Sequence, residues 1–157
     1  MTALKLKRFQ STKVIELGSC AFRQPRAESH CRLIHGYRLL GKFWFESNEL
    51  DDNNWVVDFG SLKLLKKMLE HQFDHTFCVD EEDPHLELFR ELAEKDIVDI
   101  RVMKGGVGIE RTAEWCLSAA NDFLFDQNFI NKPVCTKVEV WEHEKNSAVV
   151  ELTSDIL

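Results

Sequence analysis

The sequence predicts an α+β fold, with helices covering one face of an antiparallel sheet. Three observations lead there. Apolar residues alternate with period two near both ends of the chain, in KVIELGSCAFRQ (13–24), YRLLGKFWFE (37–46) and TKVEVWEHE (136–144). The period becomes helical after Asp58 and again after Gly108. Turn-forming clusters, SNELDDNN (47–54) and GGVG (105–108), separate these runs.

Taken in order, 13–24 is a first strand and the aromatic-rich 37–46 a long second one. Trp55-Val56-Val57, beyond the turn cluster, is expected to return as a third strand. Leu62, Leu65, Met68 and Leu69 then fall on one face, with Lys63, Lys66 and Lys67 largely elsewhere, which predicts an amphipathic helix over about 60–71. Asp83 as cap and Pro84 as first residue predict a short helix over 84–94. IVDIRVM (97–103) alternates as a strand, and a helix follows from Glu110 to about Asp126. TKVEVWEHE and SAVVEL (147–152) close the chain as a hairpin around Lys145-Asn146.

With 157 residues the chain is expected to form one domain, 1–157. A net charge of -7 and a pI of about 5.4 give no basic footprint for nucleic acid. No apolar run approaches the ~20 residues of a membrane span, and MTALKLKRFQ lacks a leader's apolar core. The expectation is a soluble, cytoplasmic protein without nucleic-acid or membrane partners. Five cysteines without a C-x-x-C pair argue for free thiols. Cys116, inside a helical pattern, belongs to the core, whereas Cys20 and Cys31 sit among ligand-type residues.

Four constellations carry possible chemistry. The densest is Ser29-His30-Cys31-Arg32-Leu33-Ile34-His35-Gly36-Tyr37, where His35 and Tyr37 share a strand face. It matches no structural zinc spacing, and a polar strand start with a core histidine explains it as well. Asp74-His75 is either a capping pair or a histidine tuned for proton transfer by its carboxylate. Glu110 opens a helix, where dipole complementarity alone accounts for a carboxylate. Glu142 shares a strand face with Val138 and Val140, or is simply a solvated strand end. Arg23, Arg26 and Arg32 are candidate phosphate contacts or plain surface arginines.

Read in order, these residues resemble the 6-pyruvoyl-tetrahydropterin and 6-carboxytetrahydropterin synthase family. That family has a His on the first strand, a Cys, and a Leu-His-Gly-His strand. A Val-x-Asp-Phe-x-x-Leu-Lys helix entry, an Asp-His pair, a Thr-Ser-Glu helix start and a late strand Glu follow. Here the matching stretches are Cys31-Arg-Leu-Ile-His35-Gly36-Tyr37, Val56-Val57-Asp58-Phe59-Gly60-Ser61-Leu62-Lys63, Phe73-Asp74-His75, Glu110-Arg-Thr-Ala113-Glu-Trp115 and Val140-Trp141-Glu142, covering about residues 12 to 145.

The resemblance implies a tunnelling fold, in which subunits join their sheets into an oligomeric barrel, a dimer of trimers or similar. It implies a lyase acting on 7,8-dihydroneopterin triphosphate, in pterin or 7-deazapurine (queuosine) biosynthesis. A metal-free or altered homologue that binds a pterin or purine is the alternative. Glu142, with Glu110, would anchor the pterin, since a carboxylate matches its fork of N–H donors. Cys31 would be the proton-abstracting thiol, and Asp74 with His75 the second proton-relay element. Zinc would acidify the reacting C–H, with His35 as one ligand.

The ligand set departs from the family's three histidines. Tyr37 replaces the second His of His-Gly-His, and a phenol with a pKa of about 10 must ionise to bind metal well. Cys20 stands at the first ligand position, and His30 is an extra candidate. A second departure is an insertion at about 80–106, acidic at Asp80-Glu81-Glu82-Asp83.

Overall fold

The computed structural model describes residues 7–153. Residues 1–6 of the N-terminal stretch lie outside this range. The chain runs β1 (Phe9–Phe22), β2 (His35–Ser47), α1 (Lys63–Phe73), β3 (Thr76–Asp80), α2 (Leu86–Glu94), β4 (Ile100–Met103), α3 (Ile109–Gln127), β5 (Val134–His143) and β6 (Asn146–Glu151), with short 3₁₀ turns at His30–Arg32 and Phe59–Leu62.

The strands form one sheet of order β4-β3-β1-β2-β5-β6. Its β1-β2-β5-β6 part is antiparallel, as expected, because hairpins connect β1 to β2 and β5 to β6. The β3 and β4 strands run parallel to β1 and to each other, each reached by a helical crossover, so the sheet as a whole is mixed. The fold is α+β, but the helices are not all on one face: α2 packs through Phe89 on Phe77 and Val79, and α1 and α3 cover the opposite face.

That face is the core. Ile15, Leu17, Leu39, Phe43, Phe45, Val138 and Val140 pack against Leu65, Leu69 and Phe73 of α1 and Ala113, Cys116, Ala120 and Phe123 of α3. Met68, expected on the apolar stripe of α1, is 41% exposed, and Phe73 takes the buried place instead. A smaller cluster of Phe77, Val79 and Phe89 lies under the 80–106 segment, which supplies α2 and β4.

Two further expectations fail. Trp55-Val56-Val57 is a bend, not a strand. Val56 and Val57 are buried, but the Asn131 amide donates to the carbonyls of Glu49, Trp55 and Val56, so a side chain takes the place of a neighbouring strand. The missing strand is Thr76–Asp80, all five residues buried. Asp83 does not cap α2, whose N-cap is His85; its carboxylate accepts from the His85 N–H and from Arg23.

Candidate functional site

Strand alternation and one bulge place the site at the Phe22 end of β1. The register between β1 and β2 shifts between Glu16 and Gly18. Beyond the shift, Cys20 pairs with Tyr37 and Phe22 with His35. Paired residues share a face, so these four lie on the side that α1 and α3 cover, where the sheet outruns those helices. Phe22, His35 and Tyr37 touch edge to face or tilted, with centroids 5.1–6.0 Å apart. His143, the neighbour of Glu142 on β5, extends the row, its ring 6.0 Å from Tyr37. Sequence reasoning missed His143. Its only signal was adjacency to Glu142.

Tyr37 lies within the electrostatic reach of both Glu142 and Cys31. Burial first, then the charges of Glu142 and Cys31, push the Tyr37 phenol above its ordinary pKa. Glu142 is 17% exposed at its side chain, and its Oε1 accepts from Asn146 Nδ2 at 2.8 Å. The imidazole of His35 is fixed through Nδ1, 2.7 Å from the Leu33 carbonyl, which leaves Nε2 free to act outward. Cys31 sits half-buried on the 3₁₀ turn that Ser29 caps. His30, on the same turn, is exposed. Glu110 is exposed at the start of α3, with Oε2 close to Gly108.

Asp74 and His75 form a real pair, His75 Nδ1 lying 3.0 Å from Asp74 Oδ1. The same oxygen accepts the Ser19 N–H at 3.1 Å, and the His75 N–H donates to the Ser19 carbonyl at 2.7 Å. His75 holds a left-handed φ of 59° to make this lacing possible. The hydrogen bond with His75, then that from Ser19, keeps the Asp74 carboxyl below its usual range. The pair opens on a shallow cavity of about 490 Å³ lined by Ser19, Cys20, Gly36, Tyr37, Arg38, His75 and Thr76. Tyr37 joins that cavity to the Glu142 group; Cys31 does not line it.

The expected metal ligands do not form one set. Cys20 is buried, and its Sγ lies 3.5 Å from Cys78 Sγ and 3.8 Å from Thr76 Oγ1 on β3. The shared hydrogen bond lowers the Cys20 pKa, while that bond and burial raise Cys78. Tyr37, beside two acidic groups, resists the ionisation that ligation needs. Among the described residues, no three His, Cys, Asp or Glu side chains gather as a metal site. His35 alone is prepared as a ligand, so the single chain does not fit the three-histidine zinc.

Two of the candidate phosphate contacts are also engaged. Arg23 forms a bidentate pair with Asp83, at 2.7 and 2.8 Å, and Arg26 pairs with Asp80 and Glu82. Arg32 bonds the Ser29 carbonyl and stays exposed. An apolar cavity of about 430 Å³ at the other end of β1, among Phe9, Trp55, Val57 and Phe59, contains Asp58 but none of the site residues above.

Comparison with known proteins places this geometry. A family model described as 6-pyruvoyl tetrahydropterin synthase matches residues 13–153. The 6-carboxy-5,6,7,8-tetrahydropterin synthase of Rickettsia conorii is 30% identical over 60 residues, 38% of this chain and 44% of that protein. The chain thus matches less than half the length of that relative. The enzyme of the same name from Aquifex aeolicus is 28% identical over 128 residues, 81% of this chain and 79% of that one. An uncharacterized protein of Wolinella succinogenes has the same fold, with a TM-score of 0.79 at 20% identity, covering 94% of this chain and 99% of that one. A Plasmodium vivax 6-pyruvoyltetrahydropterin synthase superposes with a TM-score of 0.65 at 15% identity, covering 92% and 99%.

Proposed function

Since the chain belongs to the 6-pyruvoyl tetrahydropterin synthase family, we propose that it is a pterin-processing lyase of the 6-carboxytetrahydropterin synthase type, acting on 7,8-dihydroneopterin triphosphate and serving 7-deazapurine (queuosine) or related pterin biosynthesis in the cytoplasm. The observation that carries this reading is the row of His35, Tyr37 and His143 rings, with Glu142 3.9 Å from His143, at one end of the sheet. Glu142 supplies the acceptor for the pterin's ring N–H and 2-amino group, once Asn146 yields Oε1. Glu110, exposed at the α3 start, is the second pterin-contacting carboxylate.

Cys31 takes a proton from the substrate side chain, and His75, oriented by Asp74, returns or relays one. Tyr37 stays protonated between Glu142 and Cys31 and offers an O–H to a substrate oxygen. The reading includes a homo-oligomer, which the edge strands β4 and β6 support: their outer backbone groups lack a strand partner, and they carry exposed Val102 and Val149. Among the described residues no helix is long and apolar enough to cross a membrane.

Incubating the purified protein with dihydroneopterin triphosphate and identifying products by mass tests the proposal, with native mass read alongside. A 6-carboxy- or 6-pyruvoyl-pterin product from an oligomer supports it. No turnover, with tight binding of the pterin, favours the second reading: a catalytically altered pterin-binding homologue. The turning of Cys20 toward Cys78 favours that reading.

A further inference from the structure

The loop that carries Cys31 has little to hold it in place. None of His30, Cys31 or Arg32 is buried, and the next residues, Leu33 and Ile34, are 55% and 54% exposed. The apolar contacts that fix a catalytic strand are absent here, so its position must come from polar bonds. Two of these are its backbone carbonyls. The Cys31 carbonyl accepts the Gln24 N–H at 2.9 Å, and the Arg32 carbonyl accepts Arg23 Nη1 at 3.0 Å.

Both partners are in turn held by the acidic 80–107 stretch. Gln24 Nε2 donates to the Val107 carbonyl at 2.8 Å. Arg23 presents Nε and Nη2 to the two oxygens of Asp83, a fork-to-fork pair whose carboxylate is 1% exposed and whose arginine side chain is 16% exposed. The guanidinium also lies over the Phe89 ring of α2, 5.8 Å from its centroid, and Phe89 stands edge-on to Phe77 of β3 at 4.8 Å. A continuous path of contacts therefore leads from the small Phe77/Val79/Phe89 core, through Arg23, to the backbone beside Cys31.

A buried ion pair adds little net stability compared with apolar packing, because desolvation offsets its attraction. What a bidentate pair does supply is a fixed direction. With two guanidinium nitrogens committed to Asp83, the third can point only where the fork aims it, and it aims at the Arg32 carbonyl. We propose that Arg23, clamped by Asp83, is a positioning residue that sets the Cys31 thiol for proton abstraction. The 80–106 segment is then the brace of the catalytic loop. This deepens the synthase reading and rests on it.

The test uses the full chain with Asp83→Asn and Arg23→Lys, which keep size or charge but lose the fork. Two quantities are read: turnover of dihydroneopterin triphosphate, and the alkylation rate of Cys31 by iodoacetamide, followed by peptide mass. Loosening the loop is expected to lower kcat by about tenfold to a hundredfold, as misplacement of a catalytic group by about 1 Å does. KM should stay within about threefold, since pterin anchoring is untouched. Cys31 alkylation should rise while that of buried Cys135 stays slow. Arg90→Gln, which removes a surface pair with Glu87 on α2, should change neither reading.

Opposite movement of turnover and alkylation supports positioning. Unchanged kcat and alkylation in both variants, with a native circular-dichroism spectrum, overturns it. So does a parallel rise at Cys135, which means general unfolding. If Asp83→Asn does not fold, Arg23→Lys decides alone. Should the native protein show no turnover, the synthase reading fails separately, and Cys31 alkylation still decides whether the clamp holds the loop.

Discussion

Gly18→Ala is the substitution that most directly tests how β1 and the Asp74–His75 pair depend on each other. Gly18 has φ +114°, a backbone conformation that L side chains rarely adopt. A Cβ built there would lie 2.2 Å from Asp74 Oδ1 and 2.4 Å from Asp74 Cβ. The carboxylate can rotate away from the first contact; the Cβ cannot, so the backbone at 74 or at 18 must move. Backbone strain of about 1–3 kcal/mol adds to overpacking of about 1–3 kcal/mol, giving an expected loss of about 2–6 kcal/mol.

Moving Asp74 also breaks the Ser19 N–H bond and frees His75 from Nδ1 contact. Urea unfolding followed by tryptophan fluorescence measures the first effect, and turnover the second. Gly18→Ala should shift the unfolding midpoint strongly. It should also reduce turnover at least as much as Asp74→Ala does. A stability loss below about 1 kcal/mol, or the gain of about 0.5–1 kcal/mol that Gly→Ala ordinarily brings in a strand, would refute the close-approach argument. Asp74 would then not be held by the bulge.

Glu142→Gln keeps shape but removes charge, and pterin affinity measured by calorimetry should fall by about 1.5–3 kcal/mol, the size of a charged hydrogen bond; unchanged affinity counts against the anchor. Cys31→Ala should abolish turnover while leaving pterin binding intact, and in the native protein Cys31 should alkylate faster than Cys116, whose burial pushes its pKa up, or Cys135, pushed up to about 12. Asp83 is held below its ordinary 3.8, first by the Arg23 hydrogen bonds. Its contribution is therefore complete above the unfolded pKa and disappears as pH falls through the lower native one. Urea midpoints from about pH 5 down to about pH 2 should drop less steeply in Asp83→Asn than in the native chain. For metal, elemental analysis and chelator dialysis of the purified protein should show zinc that leaves readily, because one chain prepares only His35; tightly held stoichiometric zinc would show that subunits complete the ligand set.

The residues visible in the sequence are those whose chemistry sits in one strand or one adjacent pair. Period-two alternation puts His35 with Tyr37 and Glu142 with Val140, so their shared faces follow from spacing alone. Asp74–His75 needed only adjacency. The Arg23–Asp83 clamp joins residues 60 positions apart, and no local pattern distinguishes Asp83 from a helix cap. Its neighbour Pro84 made the cap reading attractive, yet α2 starts two residues later and leaves the carboxylate for Arg23. His143 was overlooked for a related reason: its value comes from Tyr37 across the β2–β5 pairing, not from its own strand.

Cys20 shows most clearly what a one-dimensional register omits. Alignment of β1 with the family pattern puts Cys20 at a metal-ligand position, and the structure agrees that it shares a face with Tyr37, its antiparallel partner. A strand has two neighbours, however. The TFCVD segment, Thr76–Asp80, is short and buried on both faces, so no period-two alternation announces it. As β3 it pairs parallel to β1, Thr76 opposite Cys20, and delivers Cys78 and Thr76 to the far side of the Cys20 thiol. The buried thiol hydrogen-bonds there. Had β3 been absent, Cys20 would have faced only Tyr37 and the ligand reading would stand on geometry as well as on register. The strand that the sequence hid is the one that decides which way this sulfur points.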